Sequence, residues 1–94
     1  MRAQIAEIAK LLEPLGAAEI GPQGGGADIN PLAQASGGSL PTMSPSVDGS
    51  RYFIYHHTPA DTIERLDPEE IASCVAGIAV LAYVVADMPV RLGN

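Results

Sequence analysis

The side chains able to do chemistry converge in one run, Tyr52-Phe53-Ile54-Tyr55-His56-His57-Thr58-Pro59-Ala60-Asp61-Thr62. Neutral imidazole is a common zinc ligand, and a nearby carboxylate can orient it through its second nitrogen. A strand over 52–55, favoured by its aromatics and Ile54, would run into the histidines and send adjacent side chains to opposite faces. On that geometry one of His56 and His57 is a ligand, and the other is a pocket wall or hydrogen-bond partner. Zinc takes about three protein ligands at a catalytic site and four at a structural one. This run therefore supplies part of a site at most. A His-His pair beside an aromatic strand also serves as a plain surface or structural feature, and the residues alone leave both readings open.

Two further carboxylates, Asp28 and Asp48, could be folded toward this run, although nothing in their spacing requires it. Asp28 follows Gly24-Gly25-Gly26-Ala27, a loop whose glycines let backbone approach a ligand closely. It also stands where it could cap a short helix through Asn30-Pro31-Leu32-Ala33-Gln34-Ala35. The glycines are not a phosphate cradle, because the lysine is absent and the dinucleotide spacing does not occur. Asp61 has two roles open to it as well, orienting a ligand histidine or closing a turn.

The elements that must position these groups are few. Over 3–15 the apolar Ile5, Ile8, Leu12 and Leu15 recur at three and four, giving an amphipathic helix that Pro14 and Gly16 should stop near Leu12 or Glu13. Short strands are expected over 17–20, 40–44 and 52–55, separated by glycine- and proline-rich loops. The clearest element opens at Asp67-Pro68-Glu69-Glu70, with a cap, a first-turn proline and an acid at the reciprocal capping-box position. It should end by Met88, because Pro89 disfavours helix in the residue before it. Positions 71–86 carry no charge. These sixteen residues fall short of the roughly 20 that span a bilayer, and acidic flanks argue against a membrane span. A soluble helix this apolar must be covered on most faces.

Composition narrows the function classes. The chain has 94 residues, 47% of them hydrophobic, and a formal charge of −6 that would repel nucleic-acid phosphates. Nucleic acid is excluded as an expected partner. One cysteine, Cys74, rules out an internal disulfide framework and a Cys-rich zinc module. Glu7 interrupts what would be the apolar region of a signal peptide, so no export signal is expected at this N-terminus.

Several motifs in order resemble the C-terminal region of the zinc aminopeptidase and carboxypeptidase Q family. They are Gly24-Gly25-Gly26-Ala27-Asp28-Ile29-Asn30-Pro31-Leu32, Asp48-Gly49-Ser50-Arg51 with the histidine run, Leu66-Asp67-Pro68-Glu69-Glu70, and Ala79-Val80-Leu81-Ala82-Tyr83-Val84-Val85-Ala86-Asp87-Met88-Pro89. The resemblance implies an α/β fold with a mixed sheet flanked by helices and a two-zinc site that removes terminal residues from peptides. It implies that His57, the histidine before Thr58, is a metal ligand and that His56 and the Asp28 loop lie beside the substrate cleft, while Tyr52, Phe53 and Tyr55 either line a specificity pocket there or simply pack. Asp61 would then orient His57.

This sequence departs from the family pattern in what it lacks. No His-x-Asp pair, adjacent Glu-Glu or further carboxylate ligand is present, so the chain carries one of five expected ligands and no general base. Ser36-Gly37-Gly38-Ser39-Leu40 replaces a small apolar turn, and Ile54 stands where an acid is common. The expectation is a single incomplete domain over 1–94, the C-terminal segment of a zinc-dependent peptidase, inactive alone. The alternative is a non-catalytic module that self-associates or binds a partner. Either a homodimer or a missing N-terminal region would cover the last helix.

Overall fold

The computed structural model describes residues 1–93 and is helical. Four α-helices follow in order, α1 (Arg2–Ala9), α2 (Asn30–Ala35), α3 (Tyr52–Tyr55) and α4 (Pro68–Asp87), with 3-10 helices at Lys10–Leu15 and Ile63–Arg65. Among the described residues there is no strand, so the expected mixed α/β sheet is overturned. The reason lies in where backbone groups find partners. A strand satisfies its N–H and C=O groups only through a neighbouring strand. At Tyr52–Tyr55 they are satisfied locally instead, by Tyr52 N–H to Gly49 O (3.0 Å), Ile54 N–H to Arg51 O (3.2 Å) and His56 N–H to Tyr52 O (2.9 Å). The other two expected strands, 17–20 and 40–44, run as irregular chain.

The first helix keeps the expected face and passes the expected stop. Ile5, Ile8, Ala9 and Leu12 are buried and form the core, whereas Leu15 is exposed. Winding continues past Glu13 because it tightens to 3-10 geometry over Lys10–Leu15, with Pro14 inside. Gly16 ends it in the left-handed region, φ 68°, and its N–H donates to Glu13 O at 2.9 Å while that of Ala17 donates to Leu12 O at 3.2 Å. These bonds satisfy carbonyls that a helix end would leave open.

At α2 the cap differs from expectation. Ile29, not Asp28, occupies the N-cap, with no side-chain cap bond, and Pro31 sits in the first turn. Asn30 Oδ1 accepts from Gly26 N–H at 3.2 Å, tying the helix back to its own loop. A Cβ at Gly24 would stand 2.8 Å from Thr42 O, so the close approach permitted there is made to the 42–43 backbone.

The last helix starts and stops as its sequence dictates. Asp67 Oδ1 accepts from the N–H groups of Glu69 (2.8 Å) and Glu70 (3.3 Å), and Pro68 takes the first helical position. Met88 leaves the helix with φ −61° and ψ 136°, the conformation that the following proline favours. Glu70 does not complete a reciprocal box; its carboxylate receives Arg51 instead. The helix is 20 residues long, more than the uncharged stretch, because Pro68, Glu69, Glu70 and Asp87 join its ends. At 1.5 Å per residue it measures about 30 Å, and with mean hydropathy 1.8 it is long and apolar enough to cross a membrane by length and composition.

α4 packs on α1 and the first 3-10 helix along one stripe only. Cys74, Gly77, Val80, Leu81, Val84 and Val85 of α4 are half-buried, as is Met88 just beyond it, and no residue of α4 is fully buried. The chain exposes 7543 Å², against about 5,100 Å² for a compact protein of its mass. Its radius of gyration of 15.2 Å likewise exceeds the ~12.4 Å of a compact domain of this length. A large apolar area is thus left uncovered.

Candidate functional site

The histidine segment is a short helical turn followed by a sharp change of direction. His56 leaves α3 with ψ 126°, and His57 then adopts φ 55°, the only positive φ of a non-glycine residue among those described. Histidine tolerates this region better than β-branched residues do. Thr58 N–H donates to Tyr55 O at 3.0 Å, the Thr58 hydroxyl donates to the same oxygen at 2.5 Å, and Asp61 N–H donates to Thr58 O at 3.0 Å. Thr58 and the Asp61 backbone therefore serve to close the turn.

The bend brings the two imidazoles together, which an extended strand would have kept apart. Their ring centroids lie 3.8 Å from one another, and His56 also stacks on Tyr52 at 4.4 Å with planes 24° apart. Phe53 meets Tyr52 edge to face at 5.1 Å and His56 edge to face at 6.1 Å, and is largely exposed. Arg65 lies over the Tyr55 ring, 5.5 Å from its centroid, a cation–π contact.

A hollow of about 760 Å³ separates this segment from the first half of α4. Tyr55, His56 and Asp61 line it, so the structure gathers three of the residues that the sequence singled out. His57 and Asp28 are exposed and lie outside it. Across the hollow stand Glu70, Ile71, Cys74, Val75 and Ile78 of α4. Arg51 bridges the rim: its Nη2 donates to both Glu70 carboxylate oxygens, at 3.0 and 3.2 Å. Both side chains are well exposed, so this pair contributes at most about 1 kcal/mol, and its value is positional.

Arg51, Glu70 and Cys74 were not identified from sequence as neighbours of the histidine run. The available signal was the three-and-four spacing of Ile71, Cys74, Val75 and Ile78, which defines one side of α4. Asp48, also on the hollow, has its pKa lowered because Ser50 N–H donates to its Oδ1 at 2.9 Å, with the Ser50 hydroxyl and Arg51 adding to the effect. Glu64 is lowered by the hydroxyl of Thr62 and its own backbone N–H.

As a metal centre the arrangement is incomplete. Among the described residues no group of three or more His, Cys, Asp and Glu side chains stands close enough to hold a metal ion. Two adjacent imidazoles fall below the three ligands of a catalytic zinc. The residues present do not fit a resident zinc by themselves, and no hydrolytic step is assigned to them.

Over 87 residues, 93% of its length, the chain is 40% identical to a protein of Mus musculus and 39% identical to its Homo sapiens counterpart, both carboxypeptidase Q. The chain is similar to carboxypeptidase Q. The Xenopus laevis carboxypeptidase Q is 38% identical over the same length. In each case the chain spans only 18% of the relative. A matched stretch of 87 residues in a chain of 94 must include positions 8–87, and therefore the histidine run, the hollow and all of α4. No family model matches the chain, and no solved structure does.

Proposed function

We propose that this chain is the C-terminal segment of a zinc-dependent exopeptidase of the carboxypeptidase Q type, with no peptidase activity of its own. The observation that carries the reading is the 40% identity over 87 residues, a stretch that must contain the histidine run. In the proposal His57 supplies one metal ligand to a two-zinc site whose other ligands and general base come from the remainder of the enzyme. His56 and Tyr55 wall the substrate cleft, with Asp28 at its edge, and Asp61 orients His57. The peptide is the substrate of the whole enzyme. The exposure of His57 supports this arrangement, since a ligand completed from elsewhere must be reachable.

A chimera tests it. The matching segment of mouse carboxypeptidase Q is replaced by residues 8–87 of this chain, and exopeptidase turnover and zinc content are measured. The expected result is retained turnover that His57→Asn abolishes, asparagine being chosen because it too accepts a left-handed backbone. A folded chimera that hydrolyses peptides equally well with His57→Asn would remove His57 from the metal site. The 94-residue chain alone is expected to show no turnover and no stoichiometric zinc.

The second reading, a non-catalytic module that associates with itself or a partner, draws support from the uncovered face of α4.

A further inference from the structure

The loop before the histidine segment sets a carboxyl group beside an uncrowded amide nitrogen. Asp48 and Gly49 are both exposed. Asp48 Oδ1 accepts from Ser50 N–H at 2.9 Å, an Asx turn. The hydrogen-bonded ring that this bond closes contains both Asp48 Cγ and the Gly49 nitrogen. Among the described residues, nothing accepts from the Gly49 N–H. A Cβ built at Gly49 would meet nothing within 4 Å, so no neighbouring group crowds that residue. The other aspartates lack this combination. Pro68 follows Asp67 and has no N–H. The N–H groups of Ile29 and Thr62, which follow Asp28 and Asp61, already donate to Gly26 O at 3.2 Å and to Ala60 O at 2.9 Å. Met88, after Asp87, carries a long side chain.

We propose that Asp48 is a site of spontaneous isoaspartate formation. The Gly49 nitrogen attacks Asp48 Cγ, the amide proton and the carboxyl hydroxyl leave as water, and a succinimide ring joins the two residues. Glycine favours this ring because it has no Cβ to resist the backbone conformation that closure needs. Water then adds across one of the two C–N bonds of the ring. Opening at Cγ restores aspartate. Opening at the former main-chain carbonyl leaves Gly49 bonded through Cγ, an isoaspartyl link isomeric with the original, so water is the only co-reactant. The protonated carboxyl is the form that loses hydroxyl. Ser50, with Arg51 adding to its effect, keeps Asp48 ionised to lower pH than usual, which makes the reaction slow in neutral solution. The product inserts one methylene into the main chain and moves the free carboxylate onto Cα, which removes the Oδ1 acceptor of the turn. Asp48 and Arg51 both line the hollow, so its rim is remodelled next to the contact between Arg51 and Glu70. The inference rests on the turn and its chemistry and is independent of the peptidase reading.

The test holds the 94-residue chain in mildly acidic buffer for weeks and then maps its peptides. Isoaspartate is located by electron-transfer fragmentation and by methyl transfer from an isoaspartyl methyltransferase. It should accumulate at position 48 and at none of 28, 61, 67 and 87. Gly49→Val should lose the product with the circular dichroism spectrum unchanged, since a Cβ there meets nothing and the backbone lies outside the left-handed region. Asp48→Asn should reach the same succinimide by releasing ammonia instead of water, and should therefore yield the same ratio of isoaspartate to aspartate. Isoaspartate spread evenly over the aspartates overturns the inference, as does its appearance at 48 only when urea unfolds the chain. An undiminished yield from Gly49→Val also overturns it, and the comparison among aspartates reads out whether or not that variant folds.

Discussion

Replacing Leu12 and Leu11 one at a time by alanine probes the part of the molecule that holds the rest. Leu12 is 4% exposed and belongs to a core of Ile5, Ile8, Ala9 and Leu12, whereas Leu11, one residue away, is 60% exposed. A buried Leu→Ala change costs the lost transfer free energy plus a cavity term, about 2–5 kcal/mol in all. A four-residue core at the edge of α4 can close partly around the gap, so about 2–3 kcal/mol is expected for Leu12→Ala. Leu11→Ala should stay within about 0.5 kcal/mol, as surface substitutions do. Native stability runs near 0.05–0.15 kcal/mol per residue, and a chain with this small a core sits low in that range. Leu12→Ala should therefore lose a large part of its cooperative transition. Urea unfolding followed by far-ultraviolet circular dichroism measures both changes. Equal losses at the two positions would refute the assignment of the α1 face and of the core built on it.

Other outcomes follow from local geometry. Asp67→Ala should destabilise α4 by about 1 kcal/mol, while Asp67→Asn keeps most of the cap; thermal melts of the two variants compare directly. The carboxyl groups of Asp48 and Glu64 should titrate below 3.8 and 4.5, respectively. A lowered folded-state pKa means that the stabilisation is present above those ordinary values and is lost as pH falls through the lower folded ones. Acid should thus loosen the turn at 48–50 and the 3-10 helix Ile63–Arg65 in the region below pH 4.5, as read by carboxyl carbon NMR. Thr62→Val should return Glu64 toward its ordinary value, and Ser50→Ala should move Asp48 only partway, because the backbone N–H remains.

How much of this was legible in the sequence depended on the range of the interactions. α4 was readable at both ends, since Asp67, Pro68 and Pro89 act within a few residues of where they stand. The buried face of α1 was readable from its spacing, but its end was not, because 3-10 winding accommodates Pro14 and postpones the stop to Gly16. The three strands failed for one reason: strand propensity describes a fit to neighbouring strands, and without a neighbour Tyr52–Tyr55 closes its hydrogen bonds within itself. That error carried into the site, where an extended backbone kept His56 and His57 apart and the observed bend brings their rings to 3.8 Å, with planes tilted by 59°.

The sequence by itself determined the two ends of α4, set by Asp67, Pro68 and Pro89, and the chemical inventory of the histidine run. Each is a matter of residue type and short spacing. Only the tertiary structure decided that Tyr55, His56 and Asp61 share a hollow with Arg51, Glu70 and Cys74 while His57 lies outside it. The positive φ of His57 and the packing of α4 across the segment are long-range outcomes, fixed by how the chain turns in three dimensions.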